Sequence, residues 1–115
     1  MNTTSIGQAA ETAATEYLIG KGYKLVDRNW RTQWCEIDIV VQRDKCIYFV
    51  EVKYRRQSMQ GSGLDYVTRA KVNQMSQAAE MWVATHKWVD DYSLGAIEVS
   101  GPEWQITGFV VGLLL

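Results

Sequence analysis

The stretch from Cys35 to Arg56, CEIDIVVQRDKCIYFVEVKYRR, constrains this chain more than any other. Apolar residues alternate on both sides of the polar dipeptide Asp44-Lys45, which predicts two strands joined by a tight turn. Alternate side chains on a strand point to opposite faces, so Glu36 shares a face with Asp38, and Glu51 with Lys53. Antiparallel pairing about the turn sets Ile37 against Val52, Ile39 against Val50 and Val41 against Tyr48, one continuous apolar face. The same register sets Asp38 across from Glu51 and Glu36 across from Lys53. A slip of one residue would break up the apolar face and turn Glu51 and Lys53 away from Asp38, so burial selects this register.

Like charges directly opposite one another destabilise a sheet, and two neighbouring carboxylates raise each other's pKa. Lys53 compensates in part, and a divalent cation would compensate better. Mg²⁺ is usually held by one or two protein carboxylates, with water and substrate phosphate completing its octahedron. The hairpin alone therefore supports two readings: a solvated salt-bridge ladder or a cation site.

At 115 residues the chain is expected to form one domain, residues 1–115, with a core that needs no staples. Two cysteines far apart along the hairpin do not suggest a disulfide, and with no signal peptide a reduced, cytoplasmic protein is expected. The C-terminal run FVVGLLL is too short to span a bilayer and fits a buried strand or a subunit contact. Net charge is −1, yet between Lys24 and Arg56 eight basic residues face five acidic ones. Overall charge argues against a nucleic-acid partner and its distribution argues for one.

Residues 1–5 are expected to be loose. Ala10, Ala13, Ala14, Tyr17 and Leu18 recur at helical spacing and predict a helix over Gly7 to Ile19, capped by Ser5 and stopped by Gly20 and Gly22. Its alanines would let it lie close to a sheet, with Glu11 either solvated or leaning toward the carboxylates. Tyr23 to Trp30 reads as a strand. Trp30 or Trp34 could stack on a base or belong to the core. Gln57 to Gly63 is a glycine-containing loop without a phosphate-binding loop pattern. A second helix, from Leu64 or Thr68 to about Thr85, would bury Val67, Ala70, Met75, Ala78, Met81 and Trp82. Lys71 in its first turns is solvated by default or projects back toward the carboxylates. Two more strands, Leu94 to Ser100 and Trp104 to Leu113, flank Gly101-Pro102. The element order is α-β-β-β-α-β-β. One histidine, His86, offers no triad and no zinc motif.

The ordered set G-x3-E-x5-YL, RNWR-x4-EID and FVEVK-x-R, then a glycine loop and a lysine on the next helix, resembles the bacterial YraN family of predicted endonuclease-like proteins. That family belongs to the PD-(D/E)XK nuclease superfamily, related to archaeal Holliday-junction resolvases, and the match covers about residues 7–83. The resemblance implies an α/β, restriction-endonuclease-like fold, a mixed central sheet of about five strands flanked by two main helices. It implies a divalent-metal-dependent endonuclease that hydrolyses DNA phosphodiester bonds, branched or structured DNA included; the alternative is a non-catalytic nucleic-acid-binding module that keeps the fold. Asp38 and Glu51 match the ligands of Mg²⁺ or Mn²⁺, Lys53 the catalytic lysine, and Glu11 the helix acid that contacts metal through water. Arg28, Arg31, Arg55 and Lys71 fall on basic positions expected to meet DNA backbone. Glu36 matches without an assigned role. A homodimer would supply two sites for cutting two strands. Ala10 and Cys35 stand where the family has glycine, Gln60 replaces a phenylalanine, Gly63 a proline, and Leu94 to Ala96 an Arg-Phe-Asp strand start.

Overall fold

The structure, a computed structural model, describes residues 3–56 and 64–113. Its elements follow the expected order: α1 (Thr3–Gly20), β1 (Lys24–Arg31), β2 (Glu36–Arg43), β3 (Cys46–Arg55), α2 (Arg69–His86), β4 (Asp91–Ser100) and β5 (Gln105–Val111). The strands form one sheet in the order β1-β2-β3-β4-β5. Every neighbouring pair is antiparallel except β3 and β4, which run parallel because α2 carries the chain back across the sheet. The sheet is therefore mixed, as expected.

Strand alternation sorts the core into two layers. Ile39, Val41, Val50, Ile97 and Val99 pack with Ala10, Ala14 and Leu18 of α1. Val40, Ile47, Phe49 and Leu94 pack with Val72, Met75, Ala78, Ala79 and Trp82 of α2. Strand β4 is buried over its whole second half, Leu94 to Ser100, because helices cover both of its faces.

The stop of α1 is as predicted and has a clear mechanism. Gly22 takes φ of 96°, Gly22 N–H donates to the Ile19 carbonyl, and Tyr23 N–H donates to the Leu18 carbonyl. This paired closure needs a left-handed residue, which glycine adopts without strain. Tyr23 and Leu18 then pack together in the α1 layer.

The start of α1 is a correction. The helix begins at Thr3, so Ser5 lies inside it and does not cap it. In α2, Thr68 is the N-cap, its hydroxyl accepting the Lys71 N–H. Val67 precedes this helix, and Ala70 is exposed instead of buried, because the inward stripe runs through Val72, Met75, Ala78, Ala79 and Trp82. The loop expected over Gln57 to Gly63, with the departures at Gln60 and Gly63, lies outside the described residues.

Candidate functional site

The β2–β3 hairpin has the predicted register over five pairs, from Arg43–Cys46 to Ile39–Val50, and there the ladder ends. Asp38 and Glu51 are therefore not a ladder pair, nor are Ile37 and Val52. Beyond Ile39 the strands separate, and the Asp38 side chain enters the gap: its Oδ2 accepts the Val52 N–H at 2.8 Å. The predicted continuous apolar face breaks at the same place. Ile37 packs in the α2 layer, whereas Ile39, Val50 and Val52 pack in the α1 layer. Glu36 faces Arg31 of β1 at 3.6 Å and not Lys53.

Asp38 and Glu51 nevertheless meet. Both line a cavity of about 260 Å³ under α2, with Cys35, Glu36, Lys71, Gln74, Met75 and Ala78 as its other walls. Burial pushes the Asp38 carboxyl up to about 7, helped by the negative charge of Glu51; the Val52 N–H opposes the rise, and Glu11 and Glu36 add to it. A carboxylate that is costly to ionise beside a second carboxylate is a place where a cation would be strongly stabilised.

Lys71 supplies the positive charge nearest Glu51. Its Nζ lies 2.8 Å from Glu51 Oε1, so the solvated default does not hold. Lys53, expected to offset the acids, is exposed and makes no ion pair with a described residue. Glu11 leans from α1 toward the sheet as one reading allowed. Arg28 holds it there at 3.6 Å and also donates to Thr12 Oγ1 and the Gln8 carbonyl, so Glu11 reaches Asp38 through its field alone.

The basic residues divide by surroundings. Arg31 is exposed. Arg55 is committed to the fold: its Nε is 2.6 Å from Glu98 Oε2 and its Nη2 2.8 Å from Asp65 Oδ1. Trp30 packs against the α2 layer with its ring steeply inclined to that of His86, which stacks on Trp82 at 4.0 Å. Only Trp34, 75% exposed, has its ring free at the surface among these tryptophans.

Two groups near the site escaped the sequence reading. Glu98 is 1% exposed and is satisfied by Arg55 and by the Thr107 hydroxyl at 2.6 Å. Its signal was present: an acid between Ile97 and Val99 in a strand apolar on both faces demands a buried partner. Tyr66 has a buried hydroxyl without a hydrogen-bond partner among the described residues. Burial and the charges of Glu51, Asp38 and Glu98 push its phenol up, which keeps it a proton donor.

Among the described residues, no three His, Cys, Asp or Glu side chains gather closely enough to cage a metal ion. Mg²⁺ does not require that, since it keeps several waters and takes one or two carboxylates. Asp38 and Glu51 in a polar cavity, one of them held back from ionising, fit such an ion.

These features define a class: an α/β protein with a helix on each face of a mixed five-stranded sheet and an acid pair where its central hairpin opens. Within that class, the chain belongs to the family described as Uncharacterised protein family UPF0102, whose profile matches residues 10–99. It is 36% identical over 96 residues to the UPF0102 protein VP0448 of Vibrio parahaemolyticus, covering 82% of this chain and 79% of the relative. It is 38% identical over 99 residues to a UPF0102 protein of Clavibacter michiganensis, covering 86% and 82%. It is 36% identical over 86 residues to the UPF0102 protein YraN of Escherichia coli O157:H7, covering 75% and 66%. No described helix is long and apolar enough to cross a membrane.

Proposed function

We propose that this protein is a divalent-metal-dependent endonuclease of the PD-(D/E)XK type that hydrolyses DNA phosphodiester bonds, with branched DNA among its substrates. The observation that carries the reading is the opened hairpin. It turns Asp38 inward onto the Val52 N–H and sets it beside Glu51 in a polar cavity, with Asp38 pushed up to about 7. Asp38 and Glu51 would hold Mg²⁺ or Mn²⁺, which supplies an acidified water and stabilises charge developing on phosphate.

The chain's own groups do the rest. Lys53 projects from β3, two residues beyond Glu51 and exposed, where its compact ammonium can orient a water or offset charge on the phosphodiester. Glu11 adds a third negative charge within range of Asp38. Arg31, exposed at the end of β1, suits a phosphate contact. A homodimer would place two such sites on one duplex.

The test is cleavage of linear, nicked and four-way-junction DNA in Mg²⁺ and in Mn²⁺. Asp38→Asn and Glu51→Gln should lower the rate by about 10²–10³ with folding retained. Equal cleavage by wild type and Asp38→Asn would remove the nuclease reading. Salt-sensitive binding without metal-dependent cleavage would instead establish the non-catalytic module.

A further inference from the structure

Lys71 is placed where a helix does not favour it. With Thr68 as N-cap it occupies the third position of α2, at the positive end of the helix dipole, and the first turn contains no acidic residue. That position commonly carries Glu or Gln, which reach back to the cap. A lysine there needs a partner outside its own helix, and Glu51 of β3 is that partner at 2.8 Å. Both side chains are largely shielded, 30% and 21% exposed, on the wall of the cavity that Asp38 also lines. The Lys71 backbone is pinned, its N–H donating to Thr68 Oγ1 at 3.2 Å. Only the flexible four-carbon stem is left to move the charge.

Mg²⁺, with several of its waters kept, binds a carboxylate oxygen at roughly 2.0–2.1 Å. An ammonium seated on Glu51 Oε1 competes for that carboxylate and repels a second cation. We infer that Lys71 is a tethered counter-ion: it neutralises Glu51 while the cation is absent, and cation binding displaces it into the cavity mouth, where it is available to a phosphodiester oxygen. This rests on the reading that Asp38 and Glu51 take a divalent cation. It adds a coupling to that reading. A phosphodiester that captures Lys71 strengthens cation binding, and the cation strengthens phosphodiester binding by the same factor.

The experiment uses the full chain, free of nucleic acid, titrated with Mn²⁺ in a calorimeter at constant ionic strength. Lys71→Met should bind Mn²⁺ about three- to tenfold tighter than wild type, the gain expected from removing a partly buried ion-pair competitor. Arg69→Met removes an equal charge from the same helical turn while leaving the Glu51 pair in place, and should change affinity by less than about twofold. A second readout needs no variant: acylation of Lys71 by an amine reagent, followed by mass spectrometry, should accelerate several-fold when wild type is saturated with Mn²⁺. If Arg69→Met and Lys71→Met tighten binding equally, a diffuse field is responsible and the inference fails. It fails equally if Mn²⁺ binds and Lys71 acylation does not change; the cation site then survives. No Mn²⁺ binding to wild type or Lys71→Met, or undiminished binding to Glu51→Gln, removes the cation site itself.

Discussion

The Asp38 carboxyl gives the metal-free protein a pH dependence of unusual sign. Its pKa rises from 3.8 in the unfolded chain to about 7 in the fold, so the folded state binds this proton more tightly. The associated stability is fully present below pH 3.8, erodes as pH rises, and is gone above about 7. Between pH 5 and about 7, two pH units at 1.36 kcal/mol each set a ceiling of about 2.7 kcal/mol. Water entering the cavity and side-chain relaxation reduce that to an expected loss of about 1–2 kcal/mol. Asp38→Asn removes the titration but keeps an oxygen able to accept the Val52 N–H. In chelator, its stability relative to wild type should therefore improve by about 1–2 kcal/mol on going from pH 5 to pH 8. For a domain of this size that is about 4–8 °C in Tm. Added Mg²⁺ at pH 8 should return the lost stability to wild type, by mass action on the folded state, and should not stabilise Asp38→Asn. The assay is urea or thermal unfolding at both pH values, with and without Mg²⁺. A gap between variant and wild type that is the same at pH 5 and pH 8 would refute the reasoning, as would a gap that moves against the variant at pH 8.

Two further predictions concern the scaffold. Gly95→Ala should cost about 1–3 kcal/mol in urea unfolding, because an added Cβ would sit 2.9 Å from the Val110 carbonyl oxygen and force β4 from β5; a neutral result would show that the two strands can shift. Arg55→Met should lower stability by about 3 kcal/mol or more by stranding buried Glu98; intact stability with weakened DNA binding would instead return Arg55 to the basic residues that meet phosphate.

Much of the fold was legible because each signal lay within one element. The apolar alternation around Asp44-Lys45 was enough for the five-pair register, and the glycine pair after Ile19 for the end of α1. What failed was also local. Ser5 resembles a cap, but Thr3 already belongs to the helix. Ala70 fits a helical stripe from Val67, yet the chain before Thr68 is not helical, so the stripe starts later and is rotated.

The candidate acid pair was legible in composition and not in geometry, for a physical reason. Alternation places side chains on faces only while the ladder continues, and the ladder ends at Ile39–Val50, one residue short of the acids. Two carboxylates opposite each other oppose the pairing that would align them. The strands part, and Asp38 takes a backbone N–H in place of a cross-strand neighbour. The charge balance was the harder part to foresee. Lys53 is adjacent in sequence to the acids but exposed, whereas Lys71, eighteen residues further along the chain, arrives on the helix that closes the parallel crossover. Which lysine reaches Glu51 depends on how α2 lies over β3, and no pattern within either segment encodes that. The residues that a crossover brings over a sheet are thus the ones to seek by structure once the strand acids are known from sequence.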